Sequence, residues 1–249
     1  MKTMEAIEER FSCRAYSDKS IPDAVIQALQ NEIQVINDDN DLNFQLYGAL
    51  EDGSPAFSLS QQMFAGTAPW FAALVGPDTD LGKEQVGYFG ECLVLLATQL
   101  GLGTCWVAGT FDRSAAKFEA REGDVLHDII PLGYAAEKTP LKQRTVRAAL
   151  RKRDKKPGAM LKGVNWDDAP AWIKDAIESV ILGPSAVNEQ PVVFEIDADG
   201  VVRATVPTIK SGLELTDLGI AKLHFQLAAG NSGIAGAWEW GDGGRFLLA

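Results

Sequence analysis

Hydrophobic and polar residues follow two different periods along this chain, and together these predict helices and strands in mixed order. Apolar residues at the spacing of one helix face predict a helix from about Pro22 to Val35. Alternation over Leu42–Tyr47 predicts a half-buried strand. The other predicted helices cover Thr3–Arg10, the residues leading to Leu100, Ser114–Ala120, Pro170–Val180 and Asp217–Gly230. The other predicted strands cover Trp70–Gly76, Thr104–Val107, Ile129–Tyr134, Val192–Ile196, Val201–Val206 and Gly236–Trp240.

These elements do not follow the steady strand–helix–strand order of a parallel sheet. A turn signal at Asp197-Ala198-Asp199-Gly200 predicts an antiparallel hairpin between two of the strands. We therefore expect an α+β fold with a mainly antiparallel sheet flanked by helices.

The two halves of the chain resemble each other. Residues 85–109 align without gaps on residues 217–241, at a constant offset of 132 positions. Six aligned positions are identical, whereas roughly two would match by chance from ordinary composition. The identical pairs are Gly87/Gly219, Leu95/Leu227, Ala97/Ala229, Gly101/Gly233, Trp106/Trp238 and Gly109/Gly241. We expect two fused half-units that form a pseudo-dimer, with a ligand site at the boundary between them.

This repeat sets the expected domain organisation. The first half-unit covers residues 1–150, and the second, shorter one covers residues 159–249. The segment 151–158 between them, RKRDKKPG, has the charge and the closing Pro-Gly of a solvated linker.

The charge of the chain excludes two classes of partner. Its 249 residues include 23 Lys and Arg against 34 Asp and Glu, so the net charge is −11. Nonspecific nucleic-acid binding and docking on anionic membranes both need an excess of basic residues. We therefore expect neither nucleic acid nor a membrane as a partner.

The cysteines and histidines suggest no metal site. Cys13, Cys92 and Cys105 are scattered and lack CxxC spacing, and the first residues contain no recognisable signal peptide, so we expect free thiols and a cytoplasmic protein. His127 and His224 lie in no metal-binding or catalytic motif, and we expect structural roles for both.

A cationic segment near the start of the chain could bind a phosphate. Arg10, Ser12 and Arg14 alternate along a stretch predicted to be extended, so their side chains would share one face. Two guanidinium groups and a hydroxyl suit a phosphate, because Arg offers planar, paired donors. Alternatively, the arginines lie on the surface and pair with Glu8 or Glu9.

Lys142 and Arg144 form a second cationic pair with the same alternate spacing. Taken alone, this pair is typical of a solvated surface. Its significance lies in its presence in a strongly acidic chain.

The glycine-rich segment 101–109 has two interpretations. It lacks both the GxGxxG motif of dinucleotide-binding folds and the P-loop motif. Gly101 could simply end a helix. Alternatively, backbone N–H groups at Ala108 and Gly109 could face a planar ligand.

A second loop could receive such a ligand. Residues 183–191 read GPSAVNEQP, and we call them the PSA loop. Pro184, Ser185 and Ala186 are small enough for a flat ring to approach the backbone, and Asn188 and Gln190 supply polar groups. An ordinary surface loop contains such residues as well.

Together and in this order, these segments resemble the nitroreductase family of FMN-dependent oxidoreductases. Residues 10–16, RFSCRAY, which we call the arm, are similar to the family motif RRSxRxF. Residues 184–194 are similar to PSSxNxQPWxF, residues 95–103 to the family's helix end, and Lys142 with Arg144 to its KxR pair. The resemblance extends over the whole chain and is closest to family members with an internal duplication.

The resemblance implies the α+β nitroreductase fold and FMN as cofactor, which would carry the redox chemistry without a catalytic side chain. The arm and the KxR pair would hold the phosphate and ribityl chain. Backbone at Ala108 and Gly109 would face the flavin ring, and the PSA loop would lie against it. The cofactor-binding residues implied in this way are Arg10, Phe11, Ser12, Arg14, Ala108, Gly109, Lys142, Arg144, Pro184, Ser185, Ala186, Asn188 and Gln190.

The chain departs from the family pattern in complementary ways. Its first half has no PSS motif at residues 34–44, and its second half has neither an arginine arm around Trp166–Trp172 nor a KxR pair after Trp240. We therefore expect one FMN site per chain, across the boundary between the halves, in a monomeric pseudo-dimer or weak homo-oligomer. Trp106 replaces a smaller family residue near the flavin and could restrict substrate access.

Three functions remain open. The first is an oxidoreductase in which NAD(P)H reduces FMN, which then reduces a nitroaromatic compound, a quinone or a similar small acceptor. The second is a flavin-binding protein without nicotinamide-driven turnover. The third is an interaction protein that has kept the scaffold and lost the ligand.

Overall fold

The computed structural model describes residues 1–48, 68–108, 118–137 and 154–249. Helices and strands are interspersed along these ranges. The helices are α1 (Thr3–Glu9), α2 (Asp23–Asp39), α3 (Asp80–Gln99), α4 (Ala171–Leu182) and α5 (Leu213–Asn231). The strands are β1 (Gln45–Gly48), β2 (Trp70–Pro77), β3 (Gly103–Thr104), β4 (Val107–Ala108), β5 (Asp124–Gly133), β6 (Leu161–Lys162), β7 (Val193–Ile196), β8 (Val202–Thr205), β9 (Gly236–Trp238) and β10 (Phe246–Leu248). Short 3₁₀ helices cover Pro157–Met160, Trp166–Asp168 and Ala186–Asn188.

The chain forms two compact units, each built from separate stretches of sequence. The first unit consists of Met1–Lys2, Glu9–Asp78 and Cys92–Arg147. The second consists of Thr3–Glu8, Thr79–Glu91 and Ala148–Ala249. Nearly all of α1 and the first part of α3 therefore belong to the unit that contains the C-terminal half of the sequence.

The first unit contains an antiparallel sheet. Its strand order is β1-β2-β5-β3, and β4 also pairs with β5. The apolar run predicted to be a buried strand forms β2, in which residues 71–76 are all buried. The strand predicted over Ile129–Tyr134 begins earlier, because β5 pairs with β2 as far as Asp124 opposite Pro77.

Two predicted strands of this unit differ from the structure. The strand predicted over Thr104–Val107 is divided into β3 and β4 by Cys105 and Trp106, although the Cys105 N–H still donates to the Pro131 carbonyl oxygen at 3.3 Å. The strand predicted over Leu42–Tyr47 begins only at Gln45. The Asn37 side chain makes two hydrogen bonds with the backbone of Phe44. Asn37 Nδ2 donates to the Phe44 carbonyl oxygen at 2.9 Å, and Asn37 Oδ1 accepts the Phe44 N–H at 2.8 Å. Phe44 is thereby tied to the last turns of α2.

The helix predicted over Ser114–Ala120 falls mostly outside the described residues. Its last part, from Phe118 to Ala120, is not helical. The helix predicted from Pro22 to Val35 is present as α2 and continues four residues further, to Asp39.

The second unit is built around α5, which is buried on nearly all sides. Strands β6, β7 and β8 form a small sheet, in which β6 and β7 are parallel and β7 and β8 form the predicted antiparallel hairpin. Strands β9 and β10 form a second hairpin. An aromatic cluster fills the core, with the rings of Phe194 and Phe225 stacked 4.8 Å apart and Trp238 and Phe246 beside them.

Helix α5 begins at Leu213, four residues before the predicted start. The carboxylate of Glu214 explains the difference, because it accepts hydrogen bonds from the backbone N–H groups of Lys210, Ser211 and Gly212. These bonds fix the segment before the first turn and allow the helix to begin earlier.

Candidate functional site

The arm is extended and is held by the sheet of the first unit. Ser12 forms a parallel bridge with Thr104, and the Cys13 N–H donates to the Thr104 carbonyl oxygen at 2.7 Å. The Tyr16 hydroxyl lies 2.9 Å from the Cys13 carbonyl oxygen and 3.1 Å from that of Pro131. Because Tyr16 is buried, these bonds fix the end of the arm.

Three arm side chains act on one buried thiol. Burial raises the pKa of Cys105, while the charges of Arg14 and Arg10 and a hydrogen bond with Ser12 act in the opposite direction. The Ser12 side chain therefore lies within hydrogen-bond reach of the Cys105 thiol. In an extended arm, the alternating spacing of Arg10, Ser12 and Arg14 predicts that their side chains share one face.

The other candidates from the first half have different surroundings. Phe11 is half-buried and packs against the core cluster that contains Cys13, Tyr16 and Phe71. Ala108 lies in β4 and pairs with Asp128 of β5. Gly109, Lys142 and Arg144 lie outside the described residues.

The PSA loop, in the second unit, is tightly hydrogen-bonded. Ser185 Oγ accepts a hydrogen bond from the Gln190 N–H at 3.0 Å, and the Ser185 carbonyl oxygen accepts one from the Asn188 N–H at 3.0 Å. The Glu189 N–H donates to the Ala186 carbonyl oxygen at 3.0 Å. These bonds close a compact turn, with Pro184, Ser185 and Ala186 half-exposed at its start.

The backbone of the PSA loop is strained. Val187, Asn188 and Gln190 have φ values of 45°, 58° and 46°, in the left-handed region that non-glycine residues seldom adopt. Such conformations cost about 1–3 kcal/mol each and persist only where the surroundings enforce them. Strain of this kind is concentrated at functional sites, which makes the loop a candidate site.

Side chains from the loop enforce this conformation. Gln190 is buried, with Oε1 accepting from the Lys155 N–H at 2.7 Å and Nε2 donating to the Ile181 carbonyl oxygen at 3.0 Å. Asn188 Nδ2 donates to Asp154 Oδ1 at 2.7 Å. In this structure both Asn188 and Gln190 support the loop.

Helix α5 supplies another anchor. The carboxylate of Asp217, which is buried, accepts the Ala186 N–H at 3.0 Å through Oδ1 and 3.2 Å through Oδ2. The same carboxylate and the loop line a small cleft on the second unit. Its lining includes Gly183, Pro184, Ser185, Gln190, Asp217 and Ala221.

The sequence did not identify three of the residues that hold the loop. Asp154 and Lys155 belong to the charged segment interpreted as a linker, where nothing in the pattern distinguishes them from solvated neighbours. Asp217 belongs to the aligned repeat but has Gln85, not another acid, as its counterpart. Only the fold brings these residues to the loop.

Comparison with known proteins places the chain in a family. The model of the family described as "Putative TM nitroreductase" matches residues 2–229. The chain belongs to this nitroreductase family. A crystal structure of a "putative nitroreductase" from Thermotoga maritima has a similar fold, with a TM-score of 0.66 and 21% identity, over 100% of this chain and 93% of that one. The predicted nitroreductase-like α+β fold is therefore confirmed.

Two other solved nitroreductases match about half of the chain. An FMN-dependent nitroreductase from Clostridium difficile R20291 has 18% identity and a TM-score of 0.43, over 54% of this chain and 88% of its own. A variant of the FMN and NADPH-dependent nitroreductase NfnB from Sphigopyxis sp. strain HMH has 15% identity and a TM-score of 0.45, over 56% and 91%. A search of curated proteins gave no match.

The described helices of this nitroreductase family member include none with the length and hydrophobicity needed to cross a membrane.

Proposed function

We propose that this nitroreductase family member is an FMN-dependent oxidoreductase that uses NAD(P)H to reduce a nitroaromatic compound, a quinone or a similar small acceptor. The observation that carries the proposal is the extended arm, which the sheet holds at Thr104 and along which Arg10, Ser12 and Arg14 alternate. Two guanidinium groups and a hydroxyl on one face of the arm suit a phosphate ester, which offers several acceptor oxygens.

The PSA loop, in the second unit, suits the flat ring of a flavin. Its half-exposed residues Pro184, Ser185 and Ala186 carry small side chains, and its strained backbone is held by bonds that require no ligand. A surface that is rigid before binding loses little entropy when a flat ring packs on it. We propose the arm, the PSA loop, Lys142, Arg144, Ala108 and Gly109 as the flavin-binding residues of the chain.

When bound, FMN would accept a hydride from the nicotinamide and pass electrons to the acceptor. The chain would bind and orient it. The positive charges of Arg10 and Arg14 would balance the phosphate, and backbone N–H groups near Gly109 would donate to the ring. This function requires no side-chain acid or base.

We propose one FMN per chain. The aligned counterpart of Gly109 is Gly241, whose N–H already donates to Glu84 Oε2 at 2.6 Å within the second unit. The counterpart of Ala108 is Trp240, whose ring packs against Tyr88 and Phe89. In the second half, a buried carboxylate therefore already binds the N–H group that corresponds to that of Gly109, and a large ring stands where the first half has Ala108. Both features support a single FMN site per chain.

A spectrum and a titration test the proposal. Protein purified with FMN should show flavin absorbance at one equivalent per chain, and anaerobic NADH or NADPH should bleach it. Failure to bind FMN on reconstitution would contradict the proposal. A bound flavin that neither nicotinamide reduces would favour the alternative of flavin binding without turnover, which the large Trp106 side chain also suggests.

Variants of the arm test the phosphate role separately. R10A/R14A should weaken FMN binding at least about tenfold, because two charged hydrogen bonds are lost, while riboflavin, which has no phosphate, should lose much less. Lys19 is a matched control, since it lies three residues after the arm and its ammonium group packs over the Tyr134 ring, 4.1 Å from the ring centroid. K19A should bind FMN as the wild type does.

A further inference from the structure

We infer that Asp217 is a positioning residue, which holds the PSA loop in the conformation that receives the flat ring of the cofactor. This inference rests on the proposed function, because it assumes that the loop contacts FMN. It adds a residue on α5 that belongs to no motif of the family resemblance.

The contact is direct and buried. Asp217 lies on the second turn of α5 with both carboxylate oxygens within 3.2 Å of the Ala186 nitrogen. A charged acceptor gives a stronger hydrogen bond than a neutral one, especially away from water. Ala186 is the last of the three small residues at the start of the loop, so this bond fixes the backbone where a ring would pack.

The loop needs such an anchor. The residue after Ala186 is Val187, which is 60% exposed and has a φ of 45° that is unfavourable for a β-branched residue. Packing of that side chain therefore contributes little to holding the turn. The bond from Asp217 stabilises the strained turn at its first residue, while Asn188 and Gln190 stabilise its far end.

Glu214 provides a matched control on the same helix. It is buried to a similar degree and also accepts backbone N–H groups, but these belong to residues 210–212, outside the loop. Loss of either carboxylate should lower the stability of the second unit. Lys210 also pairs with Glu189 of the loop at 3.6 Å, but both side chains are exposed and such a pair contributes about 0–1 kcal/mol. Loss of Asp217 should therefore change the loop far more than loss of Glu214.

The experiment is a titration of the full chain with FMN and with riboflavin, followed by flavin fluorescence. D217A should bind both ligands about tenfold to hundredfold more weakly than the wild type, because the loop would contact the ring that they share. D217N keeps one acceptor oxygen and should lose about threefold to tenfold. E214A should unfold at lower urea concentration yet bind both ligands like the wild type.

A second substitution tests whether the effect acts through the turn. Gly adopts positive φ without strain. The double variant D217A/V187G should therefore bind flavin at least about threefold more tightly than D217A. The same substitution in the wild type should change the affinity little. A purely structural role of Asp217 predicts no such rescue.

The outcomes separate the inference from the proposed function. If the wild type binds neither flavin, the proposed function fails and the inference with it. If the wild type binds FMN and folded D217A binds it equally well, the inference alone is overturned. Should D217A not fold, D217N decides: an unchanged affinity contradicts the inference, and an equal loss for FMN and riboflavin supports it.

Discussion

The ammonium group of Lys222 donates a 2.5 Å hydrogen bond to the carboxylate of Glu84, and both side chains are fully buried in the second unit. Lys222 also donates to the carbonyl oxygens of Glu239 and Gly241, each at 2.9 Å. Its three donors therefore have three acceptors. The pair links α3 to α5 and to the turn after β9.

Removal of one partner should be costly. K222M leaves the Glu84 carboxylate buried without its cation, and we expect a loss of about 3–5 kcal/mol in the free energy of unfolding. The double variant E84Q/K222M should be more stable than K222M, because the charge is gone and Gln still accepts the Gly241 N–H. Urea unfolding measures the free energy of unfolding of K222M and of E84Q/K222M. K83M is the control, since its pair with Asp80 is exposed and should contribute about 0–1 kcal/mol.

Two glycines allow α3 and α5 to touch. A Cβ atom at Gly87 would collide with the Thr216 carbonyl oxygen, and one at Gly219 would collide with that of Glu84. These are aligned positions of the repeat, since Gly87 corresponds to Gly219 and Glu84 to Thr216. When the two halves are exchanged, the contact of Gly87 with Thr216 becomes the contact of Gly219 with Glu84. Contacts in the interface of a symmetric dimer are related in the same way. They support the predicted duplication.

G87A and G219A should each destabilise the protein, by about 1–3 kcal/mol or more, because backbone atoms must move apart. Gly230 is a control on the same helix, where an added Cβ atom would meet nothing within 4 Å beyond the backbone of its own helix. G230A should stabilise the protein by up to about 1 kcal/mol, since Ala favours a helix more than Gly does. Thermal unfolding compares the stability of the three variants. If all three changed it equally, the close approach of α3 and α5 at Gly87 and Gly219 would be refuted.

The sequence predicts the elements in which pattern and local chemistry agree. The apolar run of β2 and the hairpin of β7 and β8 follow directly from their periods and turn residues. The repeat also predicts equivalent glycines: Gly101 and Gly233 end α3 and α5 with φ values of 81° and 82°. Periodicity cannot show where a strand is divided, and so it does not predict the separation of β3 from β4.

The candidate site is predictable to a lesser degree. Alternation in the arm predicts that Arg10, Ser12 and Arg14 share a face, because this depends on local geometry alone. The anchoring of the PSA loop by Asp217 joins residues 31 positions apart, and the positive φ at Val187 runs against its local preference. Only the packed unit can enforce such a conformation.

The stability of the protein should depend on Glu214 in a pH-dependent way. Burial alone would raise the pKa of this carboxyl, but hydrogen bonds from the backbone and from Ser211 outweigh it and lower the pKa below the ordinary value. A lowered pKa in the folded state means that the stabilisation is complete above the unfolded pKa, near about 4.3. It is lost as the pH falls through the folded value.

The variant E214Q tests this. At pH 7 it should be less stable than the wild type by about 2 kcal/mol, the contribution of hydrogen bonds to a charged group. Near pH 3 the difference should shrink, because the wild-type carboxyl becomes protonated. Urea unfolding across this range gives the two curves, and a constant gap between them would exclude the linkage.

Val187 should be one of the few positions at which glycine stabilises this protein. Its φ of 45° is costly for a β-branched residue, and its side chain is 60% exposed. V187G should remove backbone strain of about 1–2 kcal/mol. It also raises the conformational entropy of the unfolded chain, which favours unfolding by about 0.5–1 kcal/mol, so the free energy of unfolding should rise by up to about 1 kcal/mol. V35G is the matched control: Val35 is 56% exposed and helical, so glycine there should destabilise. Thermal unfolding decides, since a loss of stability in both variants would mean that the turn at Val187 is not strained.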